Sequence, residues 1–399
     1  MAMQIEEPEN YRIGLHHLGF RPFFLLGGIF AVVAIAIWFW LLNYAGQLPA
    51  PSSISIIQWH AHEMLYGYTM AVATGFLLTA VRNWTGVQTL HGLPLMLLAL
   101  CWLLARCMVF VSHPQAILWM AVLDMLFNFA LCVAVLYPIV KTRQWKHLGV
   151  WSKLLLLLIG NGLFYLGVFG ELADGARLGL YTGLYIILSL IMLMARRVIP
   201  FFIEKGVGYP FTPTNYRWLD ISSLVLMVVY MIVEVFVVMP VWAAASAALL
   251  AVLHGIRLVG WYTHGIWKKP LLWSLYLGYA WLVTGFVLRA LSGWSGLNPM
   301  LAVHAFGYGT MGLITLGMMT RISLGHTGRD VFNPPAILTS LFIVLVAGSI
   351  VRVVMPMIAP QLYATWISVS QLLWILAFAG FVIAYAPMLV KGRVDGKYG

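Results

Sequence analysis

Twelve long apolar segments constrain the fold of this 399-residue chain more than any other feature. Each is close to the roughly 20 residues that a helix needs to cross the hydrocarbon core of a bilayer. Only 9% of the residues are charged, whereas soluble proteins carry roughly 25%. The sequence therefore predicts an all-α, polytopic membrane helical bundle with about twelve transmembrane helices. We expect the spans at residues 23–43, 57–81, 93–112, 115–140, 150–170, 177–199, 218–239, 241–264, 271–292, 300–320, 334–355 and 362–390.

The lysines and arginines indicate the orientation of this bundle. If the N-terminus is cytoplasmic, most of them fall in inner loops, and residues 141–153 form the strongest inner cluster. We therefore expect both termini to be cytoplasmic, with a lead at 1–22, a membrane domain at 23–390 and a tail at 391–399. The net charge of +11 is then a topology signal. The apolar spans imply the lipid bilayer as a partner, and the basic charge implies no nucleic-acid partner.

The segment Trp59-His60-Ala61-His62-Glu63-Met64 carries the strongest candidates for a buried site. Two histidines and a carboxylate at the head of a span are costly to bury, and such groups are typically used for a metal, a proton or a ligand. On an α-helix, residues three apart share a face and residues two apart do not. The spacing therefore predicts that His60 and Glu63 face one centre and His62 another.

His304 lies at a comparable depth on the tenth predicted span. Imidazole suits copper and haem iron, so His60, His62 and His304 are the candidate metal ligands, and His304 would be shared between two centres. Glu63 and Tyr308 are the candidate catalytic residues. Tyr308 is four residues from His304, and the pair could deliver a proton and an electron to a bound gas. The alternative for Tyr308 is ordinary packing.

His254, with Arg257 three residues later, lies deeper in the eighth predicted span. Two interpretations stand for His254: an axial haem ligand, with Arg257 also contacting the cofactor, or a core histidine. Since the chain contains no C-x-x-C-H motif, any haem would be bound non-covalently. Arg106 and Asp124 fall at similar depth on neighbouring spans. We expect them to neutralise each other, and the alternative is a role in proton movement.

Several basic residues are expected at the inner ends of spans. Arg196 and Arg197 could contact lipid headgroups, or they could bind a haem propionate or a phosphate. His326 and Arg329, near the end of the tenth predicted span, are secondary site candidates. His113 and His147 are expected to be exposed at turns.

Five segments together resemble the NnrS family, and they cover nearly the whole chain in order. They are Gly19-Phe20-Arg21-Pro22-Phe23-Phe24, Trp59-His60-Ala61-His62-Glu63-Met64, Asn83-Trp84-Thr85-Gly86, Arg196-Arg197-Val198-Ile199-Pro200-Phe201-Phe202 and Leu324-Gly325-His326-Thr327-Gly328-Arg329. The resemblance implies a bacterial inner-membrane protein that contains haem and copper and is linked to nitric oxide metabolism. It supplies no ligand assignments.

Two classes of function remain open at this stage. The first is a nitric oxide reductase-like oxidoreductase that binds and removes nitric oxide, or another small diatomic ligand, at a metal site in the outer half. Because the chain carries no Rossmann or flavin motif, such an enzyme would need an external, unknown electron donor. The second is a transporter or sensor that uses the same histidines and Glu63 for metal ions or protons.

Overall fold

The structure is a computed structural model that describes residues 13–44, 46–50 and 54–399. It confirms the all-α class and the twelve predicted spans. The helices that are long and apolar enough to cross a membrane are α1 (Phe20–Asn43), α2 (Ile56–Thr85), α3 (Gly92–Phe110), α4 (Ala116–Lys141), α5 (Trp145–Val168), α6 (Gly175–Gly206), α7 (Arg217–Val237), α8 (Pro240–Gly260), α9 (Pro270–Ser295), α10 (Met300–His326), α11 (Ile337–Ile358) and α12 (Pro360–Val390).

Local sequence signals account for several helix ends. Helix α2 begins with a capping box, in which the Ser55 hydroxyl accepts from the Gln58 backbone and the Gln58 side chain accepts from the Ser55 backbone. Proline opens α8 and α9, where its missing N–H costs nothing. Helix α2 ends at Thr85 and is followed by Gly86, whose φ of +68° is the left-handed conformation that favours glycine.

Three spans contain a π-helical stretch. These stretches cover Glu63–Thr69 in α2, Ile232–Val237 in α7 and Ala305–Gly312 in α10. A π-helix has wider turns than an α-helix, so it changes which residues share a face. Because Glu63 opens the first stretch and His304 directly precedes the third, the α-helical spacing rules fail at two of the predicted sites.

The chain divides into two compact units. Unit 1 comprises the described residues within 13–187, 319–331 and 378–399, and unit 2 comprises residues 188–318 and 332–377. Unit 1 thus holds α1 to α5, and unit 2 holds α7, α8, α9 and α11. Three helices are divided between the two units: α6, α10 and α12.

Two helices that carry candidate residues, α2 and α10, are the most buried of the twelve spans. In α2 and α10, 78% and 72% of the most apolar window is buried, against 22% in α7. Large apolar side chains elsewhere remain exposed, as Val259 and Ile383 are. Such side chains suit contact with lipid, whereas α2 and α10 hold their polar groups inside protein.

Two expectations about polar residues are corrected. Helix α1 begins at Phe20 and not at residue 23, so Arg21 is helical and fully buried instead of lying in a polar lead. His147 is also buried, although we expected it to be exposed at a turn. Its ring stacks on Trp84 at a centroid distance of 4.7 Å, and Nε2 contacts Gln144 at 3.1 Å. His113 is exposed as expected.

Candidate functional site

Unit 1 contains a buried group of polar residues that we call the carboxylate cluster: His62, Glu63, Arg106, Asp124, Asn161 and Tyr165. His62 lies at its centre and is fully buried. Its Nδ1 contacts Glu63 Oε1 at 3.0 Å, and its Nε2 contacts Asn161 Oδ1 at 2.9 Å. Both ring nitrogens thus face oxygen atoms, and a doubly protonated ring would donate to each of them.

Arg106 joins the two carboxylates of this cluster. Its Nη1 lies 3.1 Å from Glu63 Oε2, and its Nη2 donates to Asp124 Oδ1. The other Asp124 oxygen accepts from the Tyr165 hydroxyl at 2.6 Å. The predicted pairing of Arg106 with Asp124 is therefore confirmed, but Glu63 shares the arginine.

His62 and Glu63 are adjacent in the chain, at the point where the π-helical stretch of α2 begins. We expected these neighbours to face different centres, and that expectation is wrong, because the two side chains bond to each other. Gly67, one turn later, has no side chain where a Cβ would lie 2.8 Å from Arg106 Nη1 and 3.0 Å from Glu63 Oε2. Its carbonyl accepts from the Trp102 indole at 3.1 Å. Glycine here leaves the space that the ion pair fills.

The other predicted ligand of this segment, His60, has a different environment. Its ring stacks on Trp38 with a centroid distance of 4.4 Å and an interplanar angle of 2°. The structure thus joins His62 with Glu63 in the carboxylate cluster and places His60 against an aromatic ring of α1.

His304 belongs to unit 2, and both of its ring nitrogens have protein partners. Nδ1 donates to the Met300 carbonyl at 2.7 Å, and Nε2 accepts from Arg352 Nη2 at 2.7 Å. Tyr308 has separate partners: its hydroxyl donates to the Ser370 carbonyl at 2.8 Å, and its ring packs edge-on against Trp374. These contacts are those of a packed tyrosine.

A second buried site in unit 2 is centred on His254, and we call it the His254 site. The His254 ring is fully buried, and its Nδ1 lies 2.6 Å from the Tyr279 hydroxyl. Phe286 stacks on the ring at a centroid distance of 5.9 Å. Among the described residues, Nε2 has no hydrogen-bond partner. If Nδ1 carries the proton, it donates to Tyr279 and leaves a lone pair on Nε2.

Charged residues continue this site toward the end of α8. Arg257 Nη1 donates to the same Tyr279 hydroxyl at 3.3 Å, and its Nη2 donates to Asp220 at 2.8 Å. The second Asp220 oxygen accepts from Arg196 at 2.5 Å. The His254 site therefore includes Arg257 and Arg196, two of the residues that sequence placed near a cofactor.

The secondary candidates His326 and Arg329 lie in unit 1, beside the start of α1. The His326 ring packs on Phe20 at 5.6 Å, and its carbonyl accepts from Arg393 at 3.1 Å. His17, just before α1, stacks on Tyr398 at 4.5 Å. Burial, together with the charges of His16 and Arg21, lowers the pKa of His17 to about 4. His17 is therefore neutral at physiological pH, in a region rich in arginine.

The described residues offer a candidate ligand for haem but no ligand set for copper. They contain no group of three or more His, Cys, Asp or Glu side chains that could hold a metal ion, so the copper ligand set we expected is not assembled among them. A haem axial ligand requires only one imidazole nitrogen with a free lone pair. His254 meets that requirement, because Nδ1 is held by Tyr279 and Nε2 is buried without a partner.

Three residues of these sites are not predicted from the sequence: Asn161, Tyr165 and Tyr279. Each makes a direct contact with a candidate histidine or with its carboxylate partner. Asn161 could have been found from its position, because a polar residue in the middle of an apolar span needs a buried partner. Asn161 and Asp124 are both fully buried in apolar spans. Tyrosines gave no such signal, since the chain has 18 of them and most suit an interface or a core equally well.

Fold and sites together define a polytopic membrane protein with twelve spans and two buried polar sites, one in each unit. The family described as NnrS protein matches residues 14–393. The chain therefore belongs to the NnrS family. A search among curated proteins found none that matches it.

Proposed function

We propose that this protein binds nitric oxide at a non-covalent haem, which His254 would hold through its Nε2. Family membership supports a membrane protein associated with nitric oxide. The observation that carries the haem proposal is the His254 ring, which is held at Nδ1 and has a buried, unpartnered Nε2. Histidines that bind metals are typically oriented in this way by a hydrogen bond at the other nitrogen.

The surrounding residues have distinct roles in this proposal. The Tyr279 hydroxyl fixes the ring and the tautomer of His254. Arg257 and Arg196 share Asp220, and either guanidinium could instead bind a haem propionate. Phe286 covers the ring and excludes water. When bound, the haem would supply the iron that takes up the diatomic gas.

Copper is not part of this proposal, because the described residues assemble no copper ligand set. Whether nitric oxide is reduced after binding depends on an electron donor from outside the chain. Such a reductase would also need protons within the membrane.

A second candidate function follows from the carboxylate cluster. Two carboxylates and one arginine, all buried, leave one negative charge unless His62 carries a proton. Both ring nitrogens of His62 face oxygen acceptors, as a protonated ring requires. We propose that the cluster carries one proton, either to serve the haem chemistry or as the ion site of a transporter or sensor.

We also propose that the protein lies in the bacterial inner membrane with both termini in the cytoplasm. The asymmetric distribution of lysine and arginine supports this orientation. A reporter fused after Gly399 should be active only if it works in the cytoplasm.

The optical spectrum of the purified protein tests the haem proposal. Wild type supplied with haem should show a Soret band that moves on adding nitric oxide. His254→Ala should lose the band at near-normal protein level, while His113→Ala, at an exposed turn, should keep it. If His254→Ala retains full haem content and His62→Ala or His304→Ala loses it, the ligand assignment is wrong. A haem-supplied wild type without any Soret band would favour the transporter or sensor.

A further inference from the structure

Two of the sequence segments that the proposed function does not use meet in unit 1. One is Gly19 to Phe24 at the start of α1, and the other is Leu324 to Arg329 at the end of α10. The rings of Phe20 and His326 pack together at 5.6 Å. Each segment contributes an arginine to this place.

Arg21 is the innermost of these arginines and is fully buried. Its Nε donates to the Gly399 carbonyl at 2.8 Å, and its Nη1 donates to the carbonyls of Met388, Leu389 and Lys391 at 3.1, 2.9 and 2.6 Å. The remaining nitrogen, Nη2, has no partner among the described residues. A buried guanidinium with an unused N–H group is costly, and an anion would satisfy it.

Arg329, from the other segment, also has a buried N–H group without a hydrogen-bond partner in the described part of the chain. It is only partly buried, but its Nη1 is buried and lacks a hydrogen-bond partner among the described residues. Burial lowers the pKa of Arg329 from its ordinary value. Within the part of the chain that the structure describes, neither Arg21 nor Arg329 forms an ion pair with the side chain of an aspartate or glutamate.

Further arginines surround the same place. Arg329 and Arg393 lie close enough for their charges to act on Arg21, and Arg82 and Arg393 close enough to act on His326. We call Arg21, Arg82, Arg329 and Arg393 the arginine cluster. Asp395 is bonded to Arg393 through both oxygens, at 2.8 and 2.6 Å, and this contact holds the pKa of Asp395 below its ordinary value. That carboxylate is therefore already committed to one arginine.

The arginine cluster lies at a membrane boundary. It gathers the first turn of α1, the last turn of α10 and the residues just after α12. Arg82 comes from the last turn of α2. Because alternate ends of successive spans fall on the same side, these four chain positions share one face of the membrane. Phospholipid headgroups occupy that level.

We propose that the arginine cluster binds a phosphate group through Arg21 Nη2 and Arg329 Nη1, supplied by an anionic phospholipid or by a free phosphorylated ligand. Guanidinium N–H groups match phosphate oxygens in geometry and form strong charge-assisted bonds. The four arginines have one bonded carboxylate side chain, that of Asp395, and this excess of positive charge favours a phosphate, which carries up to two negative charges, over a single carboxylate. Arg329 is the side of the site that a ligand can reach, and Arg21 is its floor.

Native mass spectrometry of the delipidated protein tests this site. The probes are phosphatidic acid, phosphatidylcholine and inorganic phosphate. Wild type should bind phosphatidic acid well above phosphatidylcholine, and Arg329→Gln should weaken that binding about tenfold or more. Arg217→Gln, which removes an exposed arginine of α7, is the matched control and should bind as wild type does.

Two further variants keep the test independent of folding. Arg329→Lys retains the charge and loses the planar fork, so its affinity should lie between those of wild type and Arg329→Gln. Arg21→Gln should also lose binding, and thermal unfolding shows whether it remains folded without its backbone contacts. Competition by inorganic phosphate would identify a free phosphate ligand, and binding of phosphatidic acid alone would identify a lipid. The proposal is overturned if wild type binds none of the probes, or if Arg329→Gln binds them as wild type does.

Discussion

The carboxylate cluster of unit 1 and the His254 site of unit 2 both bury a histidine completely, but they differ in the partners of its ring nitrogens. Both place a fully buried histidine beside an arginine and a tyrosine. In the carboxylate cluster both nitrogens of His62 face protein oxygens. In the His254 site one nitrogen is held and the other has no partner among the described residues.

This difference teaches how to separate a charge site from a ligand site. Burying ions is costly without partners, and both nitrogens of the buried His62 ring have protein partners, so the protein itself supplies the contacts of that histidine. A buried imidazole with one unused nitrogen indicates a partner from outside the chain. We therefore assign proton or ion chemistry to the carboxylate cluster and ligand binding to the His254 site.

The largest expected effect comes from Arg106→Gln. This change leaves two buried carboxylates, Glu63 and Asp124, without their shared cation. Breaking a buried ion pair from one side costs about 3–5 kcal/mol, so the variant should unfold at much lower temperature or fail to accumulate. Thermal unfolding in detergent measures the loss.

Arg289→Gln is the matched control for Arg106→Gln. Arg289 pairs with Glu234 at 2.8 and 2.5 Å, but these side chains are 10% and 13% exposed. Water can reach the remaining carboxylate, so the loss should be clearly smaller. Equal unfolding temperatures for Arg106→Gln and wild type would show that the cluster does not hold two ionised carboxylates.

The second effect concerns haem affinity. Tyr279→Phe removes the hydroxyl that contacts His254 Nδ1 at 2.6 Å. Loss of such a supporting bond typically lowers metal-site affinity by about 10- to 100-fold, so haem titration of the apo-protein should show a weakened complex. Tyr308→Phe, which removes only a bond to the Ser370 carbonyl, should keep the wild-type affinity. If both variants bind haem as wild type does, Tyr279 does not orient an axial ligand.

Much of the fold could be predicted from the sequence. Apolar runs of membrane length predicted all twelve spans, because the backbone of a membrane segment must satisfy its own hydrogen bonds as a helix. The pairing of Arg106 with Asp124 was also predictable, since two opposite charges at one depth in apolar surroundings have to meet.

The sites were less predictable, for two physical reasons. The pairing of His62 with Glu63 is a contact between adjacent side chains at the start of a π-helical stretch, and no hydrophobic period indicates either feature. The partners Asn161 and Tyr279 depend on which helices pack together, and depth alone does not select one helix among twelve. His254 had two interpretations in the sequence, and only the contacts of its two nitrogens distinguish them.

The smallest expected effect on stability is that of Glu63→Gln, and it tests the charge balance of the carboxylate cluster. Glu63 contacts His62 and shares Arg106, whereas Asp124 bonds both Arg106 and Tyr165. Glutamine keeps an oxygen for His62 and removes one negative charge, so Arg106 and Asp124 then balance each other without a proton on His62.

The unfolding free energy of Glu63→Gln should change by no more than about 1 kcal/mol, the scale of one net hydrogen bond. Asp124→Asn should lower the unfolding free energy by more, because it weakens the bonds of Asp124 with both Arg106 and Tyr165. Haem content should stay unchanged in Glu63→Gln, while any proton-dependent removal of nitric oxide should fall. A Glu63→Gln protein that is as unstable as Asp124→Asn would mean that Arg106 and Asp124 do not balance each other once Glu63 is neutral, and the charge balance proposed for the cluster would be wrong.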